Sequence, residues 1–408
     1  MYGFFKTMAL AVVAAATVGC ATVKRSAAPA GEKRCAWEKG RRERPVTTDA
    51  VLCYGGSHHR TPFLWDGKRL APYVTYTDEE GREQWLFDGF IFLEFVDASR
   101  PDGRTYAFET GNRNAPAAGK EQWQELIDYF FAEGNCIDAL DKSVAEAERR
   151  IGRAPTRRRV VVMLPDPVIH RMYADTTATT VYWGELDGRK LDFSRNEDRI
   201  AACKWYIDSV RERFAAGGYE HVELAGFYWI REIVTRPQDT EYSYHLTRSD
   251  IMLPHIAEYL HGLNCSLDWI PYYGSRGYDA WRSFGFDQVY LQPNYYWKPQ
   301  NDMDDVFRRI GELGVGLELE FEPTLLAGRE GSEAFRERFR AYMRHAKETG
   351  VYGSRHADRP GRSSETQQGN LHTQEVQEGV IPCSTPRPSR MVWPESMEPA
   401  TLLGLREK

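Results

Sequence analysis

The stretch Gly314-Val315-Gly316-Leu317-Glu318-Leu319-Glu320-Phe321-Glu322-Pro323 alternates a large apolar residue with an acid three times in succession. A period of two marks a strand, and it sends Glu318, Glu320 and Glu322 to one face and Leu317, Leu319 and Phe321 to the other. On an amphipathic edge strand the acidic face would simply be the wet one. In a parallel barrel the apolar face must meet the helices, so the three carboxylates point into the lumen towards its carboxyl mouth. Clustered buried carboxylates are costly unless function or a partner retains them, so the segment reads as part of a site.

Outward from this strand the chain alternates between two periods. Runs rich in β-formers fall at 50–54, 87–95, 159–164, 222–229, 266–272, 288–291 and 315–321, seven in all. Helical stretches lie between them at 121–150, 197–216, 249–263, 303–313 and 333–349, several opened by a capping residue such as Ser249 or Asp302. Strand followed by helix specifies parallel pairing through right-handed crossovers, which leaves a doubly wound sheet or a closed barrel. No glycine-rich phosphate loop follows any strand, whereas long aromatic and polar segments do, as in Asn294-Tyr295-Tyr296-Trp297. The expected fold class is α/β, a (β/α)8 TIM-like barrel over 48–352 whose eighth strand is missing or disordered. The last 56 residues, 353–408, hold one aromatic residue, Trp393, and six prolines, and no eighth strand is legible there. Two explanations stand open: a frame-shifted tail, or a disordered extension beyond a strand hidden at 376–381.

The 408 residues are 42% hydrophobic and 27% charged, with 53 basic against 59 acidic side chains and a net charge of -6. That balance lacks the basic excess phosphate backbones demand, so nucleic acid is not an expected partner. The 13% aromatic content supplies rings that fill cores or stack on sugars. At the N-terminus Lys6 precedes an apolar run at 8–18, too short to span a bilayer, and small residues close it, as in an export signal at 1–20. Thr17-Val18-Gly19-Cys20 resembles the lipobox of bacterial lipoproteins, which makes Cys20 the candidate lipidation site and a membrane the candidate partner, with plain secretion as the alternative. Residues 21–47 read as a flexible tether. Thr22 in place of an aspartate points to an outer-membrane address, periplasmic or surface facing. Cys35, Cys53, Cys136, Cys203, Cys265 and Cys383 show no zinc-binding spacing, so neither a metal nor any other cofactor is expected.

A second acid, Glu232, closes Gly226-Phe227-Tyr228-Trp229-Ile230-Arg231-Glu232, the fourth strand and its loop; pairing with Arg231 on the surface is its bland role. Strands four and seven end on opposite sides of a barrel mouth. Two acids facing across a sugar are what glycosidic cleavage needs, one protonating the leaving oxygen and the other attacking the anomeric carbon or activating water. Alternation adds further lumen candidates for sugar hydroxyls: Glu94, Asp268, Tyr290, Gln292 and Asn294. An Asp268 bonded to backbone is an equal alternative. His58 and His59 suit substrate contact or a solvated loop better than a metal, while Tyr54, Tyr228, Trp229 and Tyr295 offer polar or stacking surfaces, with Trp65, Tyr296 and Trp297 as further platforms.

The placement of acids on strands four and seven resembles the large clan of retaining barrel glycosidases, with Glu232 in the acid/base position and Glu320 in the nucleophile position. Glu318 then supports from deeper in the lumen and Glu322 lies at the loop. Val51-Leu52-Cys53-Tyr54-Gly55-Gly56, Phe87-Asp88-Gly89-Phe90, Gly226-Phe227-Tyr228-Trp229 with Glu232, and Gly316-Leu317-Glu318-Leu319-Glu320-Phe321-Glu322 together resemble the bacterial domain-of-unknown-function family 4855 over about 50–352. The resemblance implies an exported protein of glycan-degrading bacteria with carbohydrate chemistry and no fixed substrate. It also implies a final Tyr-rich strand that this chain lacks after Gly353. A retaining glycoside hydrolase acting on a complex oligo- or polysaccharide is the expectation. The alternatives are a non-catalytic surface glycan-binding lipoprotein and, more remotely, a lipoprotein that docks other surface proteins.

Overall fold

The computed structural model describes residues 46–55, 64–78, 80–97, 106–109, 116–167, 182–238, 248–320, 323–325, 329–351 and 391–394. Within these the seven expected strands form: β1 Asp49–Tyr54, β2 Gly89–Leu93, β3 Arg158–Leu164, β4 Val222–Trp229, β5 Ser266–Trp269, β6 Gln288–Leu291 and β7 Gly316–Glu318. They lie in sequence order, each parallel to the next, in one curled sheet. A four-residue strand, β8 Met391–Pro394, runs parallel to both flanking strands, facing Asp49 to Leu52 of β1 and Leu317 and Glu318 of β7. The sequence reading did not single out this segment, because four residues ending in proline inside a polar tail display no period. Its alternative location, 376–381, lies outside the described residues, as do the export signal, Cys20 and almost all of the tether.

The helices are α1 Gly67–Val74, α2 Lys120–Phe130, α3 Cys136–Ile151, α4 Asn196–Gly217, α5 Ser249–Gly262, α6 Met303–Leu313 and α7 Ser332–Glu348. The single helix expected over 121–150 is two, parted where Gly134 takes a φ of 70° and Asn135 an extended one. At α6 the local signals act as expected, since Asp302 accepts the Asp304 N–H at 3.0 Å and Gly314 ends the helix at φ 63°. Ser249 is not the cap of α5. It is the first helical residue, and its hydroxyl bonds the backbone N–H of Thr235 at 2.7 Å, tying the helix to the loop after β4. Among the described residues no helix is long and apolar enough to cross a membrane.

Apolar residues on the outer face of the sheet meet the helical layer, as where the ring of Phe92 packs 6.4 Å from that of Phe130 of α2. The amino end of the sheet is closed by a polar network. Thr47 bonds the Tyr290 hydroxyl at 2.6 Å and donates its N–H and hydroxyl to Gln288 Oε1, while Gln288 Nε2 reaches both oxygens of Asp268. Asp88 accepts the N–H groups of Thr48 and Asp49 and pairs with Arg159 at 2.9 Å. Phe87-Asp88-Gly89-Phe90 therefore serves the floor of the sheet, and a Cβ on Gly89 would stand 2.5 Å from Thr47 Cγ2.

In β4 the register with β3 slips between Leu224 and Gly226, leaving an extra residue at Ala225. Such a bulge re-aims the residues that follow it, here Tyr228 and the loop bearing Glu232. Beside it β4 and β5 touch so closely that a Cβ on Gly226 would lie 2.0 Å from Ser266 Oγ and 2.5 Å from its carbonyl oxygen. Gly226→Ala is thus expected to destabilise the fold by about 3 kcal/mol or more, since the obstacle is partly backbone. Thermal unfolding of the variant checks this; a melting temperature within a degree of wild type would show that the strands separate freely.

Candidate active site

The alternation read from 314–323 holds through Glu320. Leu317 and Leu319 are fully buried, and Glu318 and Glu320 are each 6% exposed on the opposite face. Glu322 lies outside the described residues. Beyond β6 the backbone turns at Asn294, which adopts a φ of 57°, a conformation asparagine tolerates better than most residues. The turn directs the Asn294 N–H at Glu320 Oε2, 2.6 Å away. The same oxygen accepts the Tyr342 hydroxyl of α7 at 2.5 Å, and the Tyr295 N–H in turn donates to that hydroxyl at 2.9 Å.

Glu232 arrives from the opposite strand. Its Oε1 accepts from Gln292 Nε2 at 2.7 Å, and the same amide donates to the Ile270 carbonyl at 3.1 Å. Gln292 and Asn294 are two residues apart in the sequence. One short run after β6 therefore holds both glutamates, one by a side chain and one by the backbone. The acids expected to meet across the mouth are brought together by the strand between them.

Their electrostatics follow from crowding. Burial raises the Glu318 carboxyl well above the usual carboxylate range, and the charges of Glu320 and Glu232 raise it further. Glu320 is pushed up to about 7 by burial and the charge of Glu232, against the lowering effect of the Tyr342 and Asn294 bonds. Glu232 is raised chiefly by desolvation, which its Gln292 bond partly offsets. The pKa values of acids in such close company belong to the group rather than to one residue, and such groups occur at functional sites and in structural ion networks alike.

The remaining candidates divide. The phenol of Tyr228 feels Tyr54, Glu232 and Glu318, which places it with the acids. Tyr295 joins through its N–H on Tyr342. Trp229, one residue on from Tyr228, is wholly buried and presents no surface to a sugar. Glu94 stands apart: it follows Phe92 by two, and its electrostatic neighbours are Tyr129 of α2, Cys136 of α3 and Tyr206 of α4. Asp268 and Tyr290 belong to the floor network. His58 and His59 lie outside the described residues. Of the aromatic platforms, Trp65 and Tyr296 are buried at 3% exposure and Trp297 stands out at 60%.

Three participants were not read from the sequence. Tyr342 is an aromatic on a helix, where core packing is the ordinary role. Glu109 follows a two-residue strand; burial raises it well above the usual carboxylate range, with Glu232 adding to the shift. Arg231 does not pair with Glu232 on the surface: it is 1% exposed and lies 3.6 Å from Asp166 at the end of β3. No local pattern marks these residues, since each acquires its neighbours from a different strand or helix.

The Tyr342 bond has a measurable consequence. A hydrogen bond to a charged group is worth about 1.5–3 kcal/mol, or roughly one to two pKa units. Tyr342→Phe is expected to raise the Glu320 pKa by that amount, so any activity needing ionised Glu320 shifts its acidic limb upward and falls roughly 5- to 50-fold at pH 7. The pH profile of kcat/KM checks this, and an unmoved limb would refute the role.

No curated protein matches the chain. Residues 49–361 match the model of a domain of unknown function, DUF4855, a span that contains the seven parallel strands, both central glutamates and Tyr342. The chain belongs to the DUF4855 family.

Proposed function

We propose that this protein is a retaining glycoside hydrolase acting on a complex oligo- or polysaccharide, built on a full (β/α)8 barrel that β8 closes. The observation that carries the reading is the joint grip of Gln292 on Glu232 and of Asn294 on Glu320. Retaining cleavage asks for two carboxyls about 5–5.5 Å apart, and anchoring from one short run draws the two glutamates towards each other. Glu320, fixed by two donors on one oxygen, is the nucleophile. Its ionised form attacks the anomeric carbon as the glycosidic bond breaks. Glu232 gives its proton to the leaving oxygen, then takes one from the water that releases the sugar.

A raised pKa suits Glu232, since a general acid must keep its proton near working pH. The nucleophile must lose its own, so turnover should rise with pH through about 7. Trp297 offers a platform beside Asn294 on which a neighbouring sugar stacks. Export and a lipid anchor on Cys20, holding the enzyme at the outer membrane, complete the proposal and rest on the N-terminal sequence.

The test is a panel of plant and host glycans with purified full-length protein, following reducing ends and the first-formed anomer by NMR. Net retention is the expected result. Inversion would reassign Glu320 as a base, and binding without cleavage across the panel would replace the hydrolase with a glycan-binding protein.

A further inference from the structure

Among the described residues two carboxylate oxygens at the site have no hydrogen-bond donor: Glu318 Oε2 and Glu320 Oε1, on side chains each 6% exposed. Buried acceptors are nearly always satisfied in folded proteins, so a pair of open ones on the inward face of one strand marks where a ligand's donors belong. Glu232 stands near enough to repel both, and Glu109 near enough to repel Glu232. The guanidinium adjoining Glu232 in sequence, Arg231, lies 3.6 Å from Asp166 and partly offsets the charge around Glu109.

A ligand that answers this arrangement brings several N–H donors and a positive charge. Sugar hydroxyls supply single donors and leave the acids uncompensated, whereas an ammonium has three donors for two or three oxygens. An aromatic side chain adjoins such a seat: Tyr228 is 3% exposed, and its phenol, with that of Tyr54, shares the electrostatic neighbourhood of Glu232 and Glu318. Among the described residues no group of three acidic, imidazole or thiol side chains is placed to hold a metal ion, which favours an organic cation.

We propose that the site selects a glycan bearing a free amino group, an unacetylated amino sugar whose ammonium is received by Glu318 and Glu320 against the ring of Tyr228. The inference rests on the hydrolase reading for its substrate class and names the substrate within it. Burial and mutual repulsion favour protons on these acids. A bound ammonium displaces such a proton to solvent, so binding and proton release are coupled.

Calorimetry on the full-length Glu232→Gln protein, whose turnover is slowed about 10²- to 10⁴-fold, tests this at pH 7 in two buffers of different ionisation enthalpy. The probes are trimers of glucosamine and of galactosamine, their N-acetylated forms, and the corresponding neutral glucose and galactose trimers. In at least one series the free amine is expected to bind about 10-fold tighter than both counterparts and to release a proton. Glu318→Gln should erase most of that preference. Equal or tighter binding of the acetylated or neutral trimers in both series overturns the proposal whether or not the variant folds, because the comparison among sugars needs no second mutation. Reducing-end release by the wild-type protein separates the two readings. Cleavage of neutral glycans without amine preference sinks this inference alone, amine-selective binding without cleavage sinks the hydrolase alone, and no binding of any trimer sinks both.

Discussion

Glu320→Gln is expected to lower kcat on a responsive glycan by on the order of 10⁵-fold, the scale on which enzymes lose activity when a covalent nucleophile is removed. An amide keeps the volume of the side chain and an acceptor oxygen for the Asn294 N–H and the Tyr342 hydroxyl, yet it cannot form the glycosyl ester. The fold should survive, and the sign of the pH effect makes that checkable. Folding raises the Glu320 pKa from about 4.5 to about 7, so its contribution to stability is complete below the lower value and is lost as pH rises through the upper one. Glutamine carries no such titration. At pH 8 the variant should melt no lower than wild type, and turnover within tenfold of wild type would remove Glu320 from the reaction.

Glu232→Gln carries the second large effect, a loss of about 10²- to 10⁴-fold on natural glycosides, the contribution usual for a positioned general acid. The loss should shrink on an aryl glycoside whose leaving group departs without a proton, because only the protonation step is disabled. Gln292 faces an amide oxygen in the variant and retains its bond, so misplacement of the strand is not the cause of the loss. Equal damage on both kinds of substrate would assign Glu232 to binding rather than to acid catalysis.

The difference between these acids and the other candidates shows what a periodic pattern conveys. Alternation in 314–323 placed Glu318 and Glu320 correctly on the inner face, because strand geometry leaves a side chain only two directions. Phase says nothing about depth, however. Asp268 and Tyr290 lie at the floor, bonded to Gln288 and Thr47, while Gln292, two residues beyond Tyr290, reaches the mouth. Glu94 shows a further limit: it follows β2 in the phase of Phe92, towards the helices.

By itself the amino-acid sequence determined the seven strands and their parallel order, because hydrophobic period and capping are local properties that each segment carries alone. It also placed Glu318 and Glu320 on one face. Only the tertiary structure decided that Gln292 and Asn294 hold two distant glutamates side by side, that Tyr342 reaches one of them from a helix, and that a four-residue strand from the tail lies between β1 and β7. Those facts depend on register, bulges and chain reversals, where neighbours are set by packing across the sheet rather than by spacing along the chain.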